Sequence, residues 1–493
     1  MNLLPRSRLV RIGIARVLLA GVAAVAGSYA AAGFTPGFVG APLEATLSRV
    51  APASLVTFAI VVLGDLGQKL NLFAAITLAV LLIACLSAAA LATGWRQRSR
   101  FVSVTTALGL TWAAVTLLTA EPVLALAAAI PAAAVLALTE SGVSTSGADS
   151  RARRRVLTAI AGVAGFSLLS YVLGSRDADE TADQPLGLTP DQTQEIQTLL
   201  AEAEVKSLAV AGLEPLVSTS FYEVDIAAVN PRLAQEEWSL TLTGAVDEDL
   251  TITYDDLRAL PVEQRFVTLR CVGDSLNGQK MDTALWTGTP LAPILDRVTP
   301  ASGCECAMLH AGDGYYVEFP IAALRTGFLA YGMNGNPLPR SHGAPVRVLI
   351  PGHWGEVNVK WLTEIEFLDK QVDGYWEERG WHGTGPVNLV AKLWLVNDNG
   401  DGTVTVGGHA YAGLRDISAV EVTTGGGNWE QATLSEPLPG EDVWRQWTYT
   451  YDHPGSQHRV TARVVAGDGT VQSREELPAF PSGPSGWVSQ TVR

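Results

Sequence analysis

The residues of this chain best suited to chemistry are a cysteine at the end of a strand, an aspartate close behind it, and two basic side chains embedded in apolar surroundings. In FVTLRCVGDS, Phe266, Thr268 and Arg270 alternate with Val267, Leu269 and Cys271, a strand pattern with β-branched residues prominent. Gly273-Asp274-Ser275 follows as a turn signal. Cys271 thus stands where a rigid strand hands over to a loop, with its backbone held and its sulfur free to face a cavity. Such a position suits a reactive thiolate; a buried, inert cysteine is the alternative. Asp274 suits proton transfer beside that sulfur, or the capping of its own turn. Further on, HGAPVRVLIPG sets Arg347 between Val346 and Val348, and VKWL embeds Lys360 in the same manner. A charge so placed needs a partner. Gly343, Pro351, Gly352 and Gly355 punctuate this block and permit close approach of backbone to a ligand. His353, in PGHWG, fits either a substrate-facing site or a surface loop.

Taken together, TLRCVGDSLNG, ALWTGTPLAPILD and MNGNPLPRSHGAPVRVLIPGHWGEVNVKWL resemble the sulfite oxidase family of molybdopterin enzymes. The resemblance runs from about Ser220 to the C-terminus. It implies that Cys271 is the protein thiolate on molybdenum. It also implies that His342, Arg347 and Lys360 hold the pterin, whose phosphate calls for cations and backbone donors. The implied chemistry is two-electron redox with oxygen-atom transfer, tuned by soft sulfur ligands. Asp274 and Trp381 complete the expected catalytic set with Cys271.

The chain departs from the family where a substrate would be held. Glu223, in SFYEVD, stands where many sulfite oxidases carry an arginine for the anionic substrate. CVGDS places Ser275 where the family's CAGNR has an arginine, and Trp381 falls where the sulfite enzymes have an active-site tyrosine. The C-terminal tail lacks a further family arginine. An anion beside a carboxylate is repelled, so the expected substrate is a small molecule other than sulfite. Two rivals follow: a sulfoxide-type reductase fed by a membrane electron donor, and a non-catalytic binding or sensor protein that retains the fold.

These residues need elements to position them, and the chain supplies two contrasting halves. Up to Ser175 it carries thirteen Lys+Arg against five Asp+Glu, while the whole chain has a net charge of −15. The acidic remainder speaks against nucleic acid and suits solubility or a cationic electron-transfer partner. Val10 to Ala32, Leu70 to Ala92, Phe101 to Ala120, Pro122 to Leu138 and Val156 to Leu173 are apolar stretches that read as membrane spans. Ala51 to Gly64 is an interfacial helix or a sixth span. Basic clusters at Arg6/Arg8/Arg11, Arg96/Arg98/Arg100 and Arg151/Arg153/Arg154/Arg155 favour five spans, with the C-terminal half outside a bacterial membrane. Arg153-Arg154-Arg155-Val156-Leu157 looks like an internal twin-arginine export signal, or serves as a plain positive-inside anchor. No histidine precedes His310, so the helices cannot hold a haem between two histidines.

The expected architecture is therefore an α-helical membrane domain (1–175), a linker and short helix (176–219), a mixed α+β sulfite-oxidase-like molybdopterin domain (220–384) and a C-terminal immunoglobulin-like β-sandwich (385–493). Thr189-Pro190 reads as an N-cap with proline at the first helical position. From about Pro386, alternating strands with Gly/Asn/Asp turns suggest the sandwich, which by resemblance mediates homodimers. Arg415 matches a family arginine near that junction and is expected in a structural salt bridge. Cys304 and Cys306, as alternate strand residues, are expected to face one side and pack rather than form a bridge.

Overall fold

The computed structural model describes residues 6–139, 148–175, 185–300, 303–425 and 427–493. Glu140 and most of the acidic linker lie outside the described residues. The chain divides into two compact units, Met1–Ala59 with Leu63–Glu180 and Asp225–Arg232, and Ile60–Val62 with Thr181–Val224 and Leu233–Arg493.

The first unit is helical. Arg6–Ala32, Asp65–Gln97, Arg100–Thr119 and Ala148–Gly174 each contain a stretch long and apolar enough to cross a membrane. The expected span Pro122 to Leu138 is shorter: it forms only as Ala125–Thr139, with Pro131 inside. Glu121 to Leu124 stay in turns, and Ala125 N bonds back to Glu121 O at 2.9 Å. The segment in doubt forms Ala53–Phe58 and a π-helical turn, Ala59–Leu63. It pairs with Ala41–Val50 across a bend of 110°, so the described residues hold four apolar helices of spanning length, or five if that bent pair counts as one. The twin-arginine stretch falls in the opening turns of Ala148–Gly174, where the side chains lie outside the described residues.

Small residues build the interior of this unit. Ala20, Ala24, Ala79, Ala128 and Ala132 are fully buried, while Phe73, Leu117 and Leu168 face outward. A Cβ on Gly21 would overlap the Val80 carbonyl. Close approach through small residues, with large apolar side chains outside, is the arrangement helices take when lipid rather than water surrounds them.

The second unit is sheet-rich. A five-stranded mixed sheet runs Leu250–Thr253, Ser239–Gly244, Leu362–Phe367, Cys306–Ala311, Tyr316–Pro320, with the second and third strands parallel. A second sheet carries the strand read around Cys271, Glu263–Arg270, against Met281–Pro290, then Phe328–Met333, which also pairs with Arg347–Leu349. Every residue from Phe266 to Arg270 is buried, so this strand is covered on both faces. Downstream, antiparallel sheets built on Thr403–Tyr411 with Arg445–Asp452, and on Ile417–Thr423 with His458–Ala466, share one apolar core.

That core ignores the boundaries drawn on the sequence. Val406, Trp447 and Val464 of the downstream sheets cluster with Val272, Trp354 and Trp381, and also with Ile196 and Ala203 of the helix Pro190–Lys206. Thr189 caps this helix through a reciprocal box with Gln192, and the helix docks on this core through Ile196 and Ala203.

The expectation for Cys304 and Cys306 is overturned: the two are joined by a disulfide, with Cα atoms 5.2 Å apart. The strand starts only at Cys306, and Glu305 adopts a left-handed φ of 55°. That reversal turns the side chains toward each other, which regular strand alternation would not do. Arg415 also differs from expectation, donating to the carbonyls of Ala412 and Val387 at 3.2 and 3.1 Å rather than to a carboxylate.

Candidate active site

Cys271 is the first residue after the strand Glu263–Arg270. Its N–H donates to Lys280 O at 3.0 Å, closing a loop over residues 271–280. Asp274 locks that loop from inside. Its Oδ2 accepts from the Lys280 amide and from Lys392 Nζ, both at 3.0 Å. Lys392 is fully buried and also donates to Gly278 O at 2.6 Å. A Cβ at Gly278 would overlap the Asp274 carboxylate, so glycine is required there. Asn277 completes the lock by exchanging two hydrogen bonds of 2.8 Å with the backbone of Leu393. Burial pushes Lys392 down to about 8 despite the pull of Asp274.

The thiol of Cys271 is free and the residue part-exposed. Its surroundings push it up to about 11, first through burial and then through the Asp274 carboxylate, with Lys280 opposing. A thiol so placed becomes a thiolate when a metal replaces the proton. A Cβ on Gly273 would stand 3.9 Å from Cys271 Sγ and 3.7 Å from Trp381 Cη2, so the sulfur and the indole converge on one glycine. Trp381 is 2 % exposed, packs edge-on against Phe480, and has a buried Nε1–H without a hydrogen-bond partner.

The basic residues expected to hold a cofactor also converge. His342 ends the turn Arg340–His342, and Gly343 follows at φ 109°. A Cβ on Gly343 would stand 2.9 Å from Lys360 Cα and 3.1 Å from Arg347 Cβ. Arg347 is buried and donates to the carbonyls of His342 and Asn358 at 3.1 and 2.8 Å, with its guanidinium over Trp286. Lys360 donates to Ser341 O at 2.6 Å. Burial, then Lys360 and Arg347, push His342 down to about 3, so its ring is neutral. Its Nδ1 is buried without a partner. Three side chains thus gather around a glycine cradle, and Arg347 and Lys360 among them bond to carbonyls. This arrangement accepts an anionic group bearing hydrogen-bonding atoms.

Tyr222 connects these two regions. Its hydroxyl lies 2.7 Å from where a Gly355 Cβ would be, beside Arg270 O, and both Cys271 and Arg347 act on it electrostatically. Its amide donates to Asp282 at 2.8 Å, and the neighbouring Phe221 packs edge-on to His342. Glu223 Oε1 lies 3.9 Å from His342 Nε2, so SFYEVD does border the site. Ser275 is exposed at the loop tip. His353 bonds to Pro351 O at 2.9 Å and packs on Phe319.

Lys392, Arg270 and Tyr222 escaped the sequence reading. Lys392 had a visible signal, since it is the lone charge in VNLVAKLWLV. Arg270 shows only as the last strand residue. It is fully buried over Trp354, bonded to Asn388 O at 2.6 Å, and pushed down to about 10 by burial.

With this geometry in place, comparison with known proteins is direct. Residues 227–376 match the oxidoreductase molybdopterin binding domain. The chain is 29 % identical over 301 residues to mitochondrial sulfite oxidase of Rattus norvegicus, covering 50 % of this chain and 55 % of that protein. It is 28 % identical over 171 residues to the uncharacterized oxidoreductase YuiH of Bacillus subtilis, 34 % of this chain and 84 % of that protein. A crystal structure of the sulfane dehydrogenase SoxCD from Paracoccus pantotrophus aligns with a TM-score of 0.49 at 19 % identity, over 64 % of this chain and 92 % of that one. The chain spans about half the length of the sulfite oxidases it matches. The fold around Cys271 and His342 is that of a molybdopterin-binding oxidoreductase domain. In this domain the chain is similar to the sulfite oxidases, and the cofactor such an oxidoreductase domain binds is of the molybdenum-molybdopterin type.

Proposed function

We propose that this protein is a membrane-anchored oxidoreductase that performs two-electron redox or oxygen-atom transfer on a small molecule other than sulfite. The observation that carries the reading is the convergence of Cys271 Sγ and Trp381 on Gly273, with Tyr222 leading from there to the cradle of His342, Arg347 and Lys360. Cys271 would ligate the metal. His342 Nδ1, Arg347 and Lys360 would hold the pterin and its phosphate. When bound, the cofactor supplies the two-electron couple. The chain's own residues do the rest. The Asp274–Lys392 lock fixes the loop that presents the sulfur, so Asp274 acts as a positioning residue. Trp381 closes one wall and offers an indole N–H to a substrate.

The substrate assignment follows from charge. Glu223 beside His342 and the exposed Ser275 leave the substrate side without the arginines an oxyanion would use. The four apolar helices, or five, support membrane anchoring. The Cys304–Cys306 disulfide supports an extracytoplasmic position for the second unit, since disulfides persist in oxidising compartments. An electron-transfer partner and an immunoglobulin-type, dimer-forming sandwich complete the reading. The test is molybdenum content per chain in protein purified from its native host, beside a Cys271→Ser control. Near-stoichiometric metal, with an altered metal spectrum in the variant, supports it. A well-folded wild type without molybdenum sinks it.

A further inference from the structure

Glu356 lies just past the PGHWG segment, and both of its carboxyl oxygens are buried without a hydrogen bond. The hydroxyl of Tyr315 is already committed, donating to Glu356's own backbone carbonyl at 2.9 Å. The carboxyl rests on Gly383. A Cβ there would overlap Glu356 Oε1 and stand 2.7 Å from Cγ2 of Val272, the residue after Cys271. Gly383 itself comes two residues after Trp381, so this carboxyl borders the Cys271 pocket.

A second acid faces it. Glu377, in the turn Glu377–Arg379, also has buried carboxyl oxygens, held only by the backbone of its own turn, and its Oε2 packs on Gly374. The titratable groups facing the pair are the Cys271 thiol, the Tyr315 phenol, Glu318, Asp373 and His382. Nearby cations are engaged elsewhere. Arg379 stacks on Tyr375 and lies 3.8 Å from Glu378, and Lys392 is locked on Asp274. A buried carboxylate with neither a cation nor a donor is costly enough that the group takes up a proton instead. Burial, then Glu377, accordingly push Glu356 up to about 8. Beyond the half-buried Glu377, Asp373 and His382 are exposed.

We infer that Glu356 is held as a neutral carboxylic acid beside the Cys271 pocket and is that pocket's proton store, with Glu377 as its outlet to solvent. The inference rests on the oxidoreductase reading in one respect. Taking an oxygen atom from a substrate XO consumes two electrons and two protons and yields X and water; oxidation of X by water runs the balance in reverse. A redox carrier protein supplies or accepts the electrons. Glu356 holds one proton at the pocket and is reloaded through Glu377.

Infrared spectroscopy of the full-length protein in detergent tests the store without turnover. The expected result is a protonated-carboxyl band at pH 7 that shifts in D2O, titrates with a midpoint near 8 and is absent from Glu356→Gln. In Glu377→Gln the midpoint falls, because a like charge has been removed. An unchanged band in Glu356→Gln, or none at pH 7, overturns the inference. Molybdenum content then separates this inference from the reading beneath it. With equal metal in wild type and Glu356→Gln, the variant should lose kcat rather than raise KM, and should lose the ionisation near 8, while Glu356→Asp partly restores both. An unchanged pH profile at equal metal overturns the proton store. Absence of metal from the wild type sinks the oxidoreductase reading, and the proton-store role with it, while the infrared result still decides whether Glu356 is neutral.

Discussion

The two regions joined by Tyr222 are built on opposite electrostatic plans. Around Gly343, His342, Arg347 and Lys360 lie close together, and Arg347 and Lys360 reach backbone carbonyls. Around Cys271, the acids Asp274 and Glu356 act on the thiol, with Glu377 behind Glu356, and the buried Lys392 is consumed by Asp274. The difference separates two tasks that a single positive pocket would confuse. An anionic cofactor tail is drawn to the first region. At the second, on the proposed reading, the cations are already spoken for, Lys392 by Asp274 and Arg270 by backbone carbonyls, so an anionic substrate finds little to hold it.

The comparison can be broken most decisively at Cys271. Cys271→Ser should lower turnover by about 100-fold or more, while molybdenum content stays near the wild-type level because the cradle still holds the pterin. Wild-type turnover in that variant would remove Cys271 from the site. Next in size is the lock beneath it. Lys392→Met leaves Asp274 buried without its cation and should destabilise the second unit by about 3–5 kcal/mol, read as a lower thermal midpoint. Adding Asp274→Asn should recover part of the loss, and purely additive effects would show that the two do not act as a pair.

At the basic end, Arg347→Ala should weaken cofactor retention about 10- to 100-fold, the range for losing charge-assisted hydrogen bonds, measured as molybdenum and pterin per chain after dialysis. Retention at the wild-type level would place the cofactor elsewhere. The smallest effect is expected at Glu223, which is half-exposed. Glu223→Arg should raise affinity for small oxyanions by roughly fivefold at low salt, fading as ionic strength rises. No gain would mean that this position does not face the substrate.

What the sequence determined by itself was local. The strand into Cys271, the turn at Gly273-Asp274, the Thr189 cap and the long apolar helices are written in periodicity, turn chemistry and run length, each over a handful of neighbouring residues. Arg347 was conspicuous for a similar reason, as a charge in an apolar strand. The tertiary structure alone decided who meets whom. Asp274 and Lys392 are 118 residues apart in sequence, and neither hints at the other. The Cys304–Cys306 disulfide depends on a single left-handed residue, Glu305, which the strand pattern hid. No local signal marks Glu356; packing against Gly383 takes its carboxyl from water. The helix Pro190–Lys206 and the downstream sheets merged with the Cys271 region because apolar faces seek area, not sequence boundaries. A residue's type sets the chemistry it can do; burial and distant partners set its charge and its place, and those belong to the fold.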